Sequence, residues 1–490
     1  MPSSVVSGRP RSRLGPVAIL GANLLPLVGV LWFGWDPTTL VVIYALELLF
    51  TLPLAGVKAL FAKRPPRADH DESGTLGVSH PLAESRGAIE LIGWLPPVYP
   101  RNLPFAAAVI NGSIWYLIVI GVVLAGVVSV GNALTRPEVL VSALALVIGQ
   151  SVETWREYLQ KEYETSSPYA VIETPARQTF FLAFVLLAVP GIETFGVEGV
   201  LAVVVLVKLL IEWSAYRAGS EGGGRLTGWL AGPESATEER KPIEVPDDPP
   251  EVTIPTDRRA VWRTASFDVV GRFAPFAVGP FIVLWFILML LLGDEASTVA
   301  VAAISVIVAA AFVVTLALRV LMGVLQYGWL EYRRYGDRIV AYDTLVSEPQ
   351  WTTALSVIRD VQVVPDRFAD RLCDTRTVAV TTGWGEEERR RYLGPTAHGD
   401  ALVERFDLPV VTTDLDPIDR RPIGVVIGSL VAGGVAILLL AVGPWISVGE
   451  LLLGGAIYGV FGIPFVGLLL RGIWVQAYPE RTAEPADTSQ

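Results

Sequence analysis

The chain has 490 residues, 52% of them hydrophobic and only 18% charged, and a mean hydropathy of +0.50. That is more apolar than a protein surrounded by water sustains, so lipid is expected to be its main solvent. A formal net charge of -11 without a basic stripe argues against nucleic-acid binding, and the lone Cys373 excludes an intrachain disulfide or a thiolate metal cluster.

Among the 38 basic residues only Lys58, Lys63, Lys161, Lys208 and Lys241 are lysines. Arginine-rich and carboxylate-rich soluble parts suit concentrated salt, and a halophilic archaeal source is the expectation, although a GC-rich genome alone would also favour arginine.

From the N-terminus, Arg9, Arg11 and Arg13 precede a long apolar stretch without a convincing cleavage site, which predicts a retained first helix. A bilayer core takes roughly 20 apolar residues as helix. Stretches of about that length lie near 15–33, 39–61, 103–130, 138–155, 178–194, 197–216, 272–292, 297–323, 423–443 and 448–470. Arginine and lysine concentrate in alternate gaps, and the five gaps assigned to the outside contain only Arg136. The positive-inside rule then predicts a mainly α, polytopic bundle of about ten transmembrane helices in the cell membrane, with both termini cytoplasmic.

Within the first stretches, Trp35 and Asp36 follow the first span as candidate interface residues. Trp35 has the character of an interfacial anchor, and Asp36 that of a cap for the next helix. Glu47 lies one turn beyond Tyr44, and an ionisable group at the centre of a span costs about 2.5 to 3.5 kcal/mol on insertion scales unless it meets a partner or a wet cavity. Lys208 and Glu212 stand four residues apart and share a helix face. Tyr44, Glu47, Lys208 and Glu212 are therefore the candidate intramembrane polar site. They admit two readings: a functional site between helices, or structural ion pairs that hold a bundle together.

The stretch from Asn23 to Asp36, the Tyr44 to Glu47 run and Lys208-Leu-Leu-Ile-Glu212-Trp resemble an uncharacterised family of six-helix prokaryotic membrane proteins, a domain of unknown function, over residues 8–220. The resemblance implies a six-helix transmembrane domain at 1–217 and no activity.

Residues 218–258 combine Gly222-Gly223-Gly224 with a run rich in Pro, Asp and Glu, which predicts a disordered cytoplasmic linker. A transmembrane hairpin is expected at 259–325. Beyond it the period changes: Trp329 to Tyr335, Arg338 to Tyr342, Val361 to Val364 and Thr377 to Thr382 alternate or are β-branched, and Gly399 to Phe406 has the spacing of an amphipathic helix. These patterns predict a small β-rich cytoplasmic domain at 326–421, a C-terminal transmembrane hairpin at 422–472 and a disordered tail at 473–490.

The order Trp329-Leu-Glu-Tyr-Arg-Arg-Tyr335, Ala354 to Val364 and Arg367 to Thr382, preceded by a helical hairpin, resembles membrane-hairpin-linked bacterial pleckstrin-homology-like domain proteins over residues 272–413. That resemblance implies a partly open seven-stranded barrel capped by a helix, and it transfers no catalytic residue.

No phosphate-binding loop, paired-histidine zinc helix or nucleophile elbow occurs, and His70, His80 and His398 lie in separate polar segments. No enzymatic activity, cofactor or metal is expected. The expected function is that of a non-enzymatic membrane-anchored scaffold or assembly protein acting through its cytoplasmic domain. Its expected partners are the lipid bilayer and a further copy or another membrane protein, without nucleic acid. The alternative is a transporter or channel with its polar site at Glu47, Lys208 and Glu212.

Overall fold

A computed structural model describes residues 37–64, 80–113, 137–168, 242–292, 298–364, 368–383, 388–410 and 413–415, with isolated positions elsewhere. The chain forms two compact units: Met1–Ser79, Glu90–Arg240 and Leu290–Glu295 in one, and His80–Ile89, Lys241–Met289 and Ala296–Gln490 in the other.

In the first unit, helix α1 (Pro37–Leu60) packs against α2 (Pro137–Glu153). The Gln150 amide donates to the Thr51 hydroxyl across that contact at 3.2 Å. The C-terminal carbonyls of a helix need outside donors. Here the Tyr99 amide supplies one to the Leu60 carbonyl at 3.0 Å, and the turn Pro100–Asn102 that follows holds the chain just past the helix: the Asn102 side-chain amide donates to the Ala62 carbonyl at 2.8 Å, and the Arg101 guanidinium donates to that of Lys63. After α2 the chain continues as a polar π-helical segment, Thr154–Glu162, whose Trp155 ring lies 5.1 Å from that of Trp94.

The second unit is built on two antiparallel sheets. Strands β1 (Val252–Pro255), β2 (Leu330–Tyr335), β3 (Arg338–Asp343) and β4 (Glu348–Ala354) form one in that order; β5 (Ile358–Val363), β6 (Arg376–Thr382) and β7 (Arg389–Thr396) form the other. Between β1 and β2 run three helices, α3 (Arg258–Asp268), α4 (Ala274–Leu292) and α5 (Thr298–Tyr327). Two shorter ones, α6 (Phe368–Cys373) and α7 (Gly399–Arg405), follow β5 and β7.

The core draws alternate residues from both sheets, as a two-period pattern requires. Ile254, Tyr332, Ile339, Val378, Val380 and Leu393 meet Leu402 and Phe406 from α7 and the residue that ends it. Tyr332 is fully buried, and its hydroxyl is satisfied between the sheets: it accepts from the Gly394 amide at 3.0 Å and donates to the Tyr392 carbonyl at 3.2 Å. This bond joins β2 to β7.

The ten-span bundle expected from the sequence does not hold. Among the described residues one helix, Val301–Tyr327, is long and apolar enough to cross a membrane. A second span counts only if the pair Arg258–Gly271 and Ala274–Leu290, bent by 54°, is taken as one. Apolar content had counted toward length where helices are shorter or interrupted: α2 ends at Glu153 after 17 residues, and Pro53 lies inside α1. The stretches near 15–33, 178–194, 423–443 and 448–470 apart from isolated positions, much of those near 103–130 and 197–216, and the tail at 473–490 lie outside the described residues.

Two boundaries also shift. Val252–Pro255, inside the expected disordered linker, pairs with β2 in the register Val252 with Arg334 through Pro255 with Glu331. Its partner lies far along the chain, so local composition hides the pairing. Residues 259–268, the start of the expected transmembrane hairpin, form α3, whose Ala260, Val261 and Thr264 are buried while Trp262 stays half exposed.

Replacing Tyr332 by Phe leaves the buried Gly394 amide without its acceptor, which costs about 1–3 kcal/mol. Native-state hydrogen exchange at Val378 to Val380 should accelerate accordingly; unchanged exchange there would show that the bond does not join the sheets.

Candidate functional site

Glu47 and Tyr44 both lie on α1, one turn apart, but their side chains are outside the described residues. Trp35, Asp36, Lys208 and Glu212 are outside them as well. The site that the described residues assemble is a different one: residues 80–89, part of the polar stretch between the second and third expected spans, are seated on the β-rich unit.

The seat starts from a turn that holds its own shape. His80 precedes the turn Pro81–Glu84, and its Nδ1 accepts the Leu82 amide at 3.1 Å. Proline within the first two turn positions presets the backbone angle. Leu82 is then carried inward, 1% exposed, where the turn packs on α5.

Beyond the turn the chain is held by backbone recognition. The Arg86 amide donates to Gln350 Oε1 at 2.8 Å, and Gln350 Nε2 donates back to the Arg86 carbonyl at 3.1 Å. One side-chain amide thus satisfies both main-chain groups of a single residue, as a neighbouring strand does. Gly87 follows with φ of 90°, and a Cβ there would stand 2.6 Å from Val346 Cβ. Only glycine fits both the left-handed backbone and the approach.

The surface beneath is rigidly made. Val346 sits in the turn between β3 and β4, which Asp343 organises by accepting the Leu345 amide at 2.8 Å. Burial raises the Asp343 carboxyl above the usual carboxylate range, and the Leu345 and Val346 amides partly oppose that rise. The Thr344 hydroxyl donates to the Trp329 carbonyl at 3.0 Å, tying the same turn to the start of β2.

Next to Gln350, the Trp351 ring lies 6.2 Å from that of Tyr332 and carries the Arg391 guanidinium 5.0 Å above its centroid. Burial lowers the pKa of Arg391, repulsion from Arg389 adds to this, and attraction to Glu84 of the seated segment opposes it. Guanidinium remains charged throughout the working pH range, so Arg391 attracts the Glu84 carboxylate of the seated segment.

The chemistry available here is recognition. Main-chain donors and acceptors, the buried Leu82 side chain and the attraction of Arg391 for Glu84 together hold a polypeptide segment. Among the described residues no group of three or more His, Cys, Asp or Glu side chains is placed to hold a metal ion. Sequence reading missed this site because its contacts come from a backbone unit, a glycine angle and a glutamine on a strand whose alternation is weak.

His80 gives the seat a pH dependence. Burial first and the positive charge of Arg319 second lower its pKa below the ordinary value near 6.5. A neutral imidazole accepts the Leu82 amide, whereas the protonated ring has only donors. The stability contributed by the neutral ring is present above about pH 6.5 and lost as pH falls through the lowered pKa. Amide exchange at Leu82 and Ala83, corrected for its intrinsic pH dependence, should therefore rise on acidification, and His80→Gln should flatten the profile. A flat profile in the unmodified chain would contradict the assignment.

Comparison with known proteins finds no matching curated protein and no matching solved structure. Residues 6–218, which include the seated segment, match the model of a family of unknown function (DUF6498).

Proposed function

We propose that this chain is a non-enzymatic, membrane-anchored assembly protein whose β-rich unit works by seating polypeptide segments. The observation that carries the reading is the reciprocal pairing of Arg86 with Gln350, with Gly87 against Val346 and Leu82 buried beside it. In this arrangement residues 80–89 are the intramolecular occupant of the seat.

Anchoring is supported by Val301–Tyr327, 27 residues whose most apolar window is only 11% buried within the protein. Val306, Val313 and Val314 leave an apolar face that lipid would cover. The helix pairs with α4 through the Phe281 and Phe312 rings, 5.3 Å apart, and through Trp285 Nε1 donating to the Ser305 hydroxyl at 2.9 Å. The resemblance of residues 272–413 to membrane-hairpin-linked pleckstrin-homology-like domain proteins points the same way, toward a domain that holds partners at a bilayer. Its partners are then the bilayer itself and a second copy or another membrane protein.

The combined variant Gly87→Val with Gln350→Ala tests this in the full-length protein purified with its native lipids. It should still float with membranes yet lose the oligomeric state or the co-purifying proteins of the unmodified chain. An unchanged oligomer and partner set, with the segment displaced, would sink the assembly role.

A further inference from the structure

The face of α3 turned away from the protein has no assigned role, and its chemistry is specific. The helix is fixed at both ends and along its inner side. Asp257 caps it, accepting from the Arg259 amide at 2.8 Å and the Ala260 amide at 3.3 Å. Ala260, Val261 and Thr264 are buried where it packs on α5 and α6. Gly323 of α5 allows that approach, since a Cβ there would stand 3.1 Å from Ala265 Cβ.

The outer stripe is apolar and cationic at once. Trp262 is 50% exposed, Phe267 40% and Val270 62%. Arg258, Arg259 and Arg263 are exposed among them, and the helix contains a single acid, Asp268. Arg258 also lies over the Trp329 ring at 5.6 Å. Large apolar side chains interleaved with arginines on one helix face suit the boundary between acyl chains and headgroups.

The position of α3 in the chain says what covers that stripe. A π-helical turn, Val269–Phe273, leads directly into α4, and the two helices bend by 54° there. An 11-residue helix is about 16 Å long, so at 54° to α4 it advances only about 10 Å along that axis, the upper end of the roughly 5–10 Å over which interfacial helices enter the headgroup and acyl boundary.

We infer that α3 is an interfacial helix that binds anionic lipid headgroups through Arg258, Arg259 and Arg263 while Trp262, Phe267 and Val270 enter the acyl boundary. This rests on the membrane-anchored reading above. Its consequence is that the β-rich unit is held at a set angle to the lipid surface.

The test uses full-length protein with Cys373→Ser, reconstituted into vesicles of phosphatidylcholine with or without phosphatidylglycerol. A spin label is placed by Ser266→Cys on the outer side of α3, by Val306→Cys on α5, or by Gln362→Cys on β5 as an aqueous reference. Accessibility to oxygen is compared with accessibility to a water-soluble nickel complex. The inference predicts that position 266 is oxygen-accessible, more so with phosphatidylglycerol, and that Arg259→Gln with Arg263→Gln removes the increase. Lipid exposure at 306 with water exposure at 266 would overturn the interfacial role and leave anchoring intact. Water exposure at both 266 and 306 would overturn anchoring and this inference together.

Discussion

The pairing of β1 with β2 is the constraint on which the second unit depends. These strands flank the three helices in sequence, so their register, Ile254 opposite Tyr332, brings both ends of the helical excursion to one sheet edge. The Thr256 hydroxyl reinforces the junction, bonding the Tyr327 carbonyl at 2.8 Å and that of Leu330 at 3.0 Å. With the ends pinned, α5 enters the sheet without slack, and its surface is available to Leu82. Closing a long loop costs entropy that rises only slowly with length, so a few strand bonds and a buried core suffice to hold it.

From that junction the seat follows. β2 places Tyr332 in the core and leads into β3, whose last residue, Asp343, shapes the turn that presents Val346. β4 then supplies Gln350 to the seated segment and Trp351 to Arg391. The interactions are individually modest, since a hydrogen bond contributes about 0.5–1.5 kcal/mol net, but they act on consecutive residues of one short segment. Such a seat engages main-chain groups, and the positive φ of Gly87 restricts the backbone shape that fits it.

Part of this was legible in the sequence. The alternation at Leu330–Tyr335 and Arg338–Asp343, the β-branched run ending at Thr382 and the helix at Gly399–Arg405 all coincide with observed elements. β4 was not visible, because as an edge strand with Pro349 it alternates little and only half buries its residues. β7 was obscured because it opens on three consecutive charges, Arg389, Arg390 and Arg391, while its buried residues, Leu393 to Thr396, come only behind them. Among the described residues hydropathy overstated the number of spans, since it counts apolar residues and is blind to bends and to short helices. The seat of residues 80–89 left no local signal at all: Gly87 and Gln350 acquire meaning only when strands distant in sequence meet. The candidate residues Glu47, Lys208 and Glu212 were chosen because buried charge is costly, a criterion that cannot by itself separate structural ion pairs from function.

The seated segment is the centre of this account, and its proximity to the β3–β4 edge is directly measurable. Spin labels at Glu84→Cys and Glu348→Cys, with Cys373→Ser, in the full-length chain in native lipids would report it through dipolar broadening of the spectrum. The account predicts strong broadening from a single close population, weakened by Gly87→Val. Absence of broadening in the chain with Gly87 intact would contradict it.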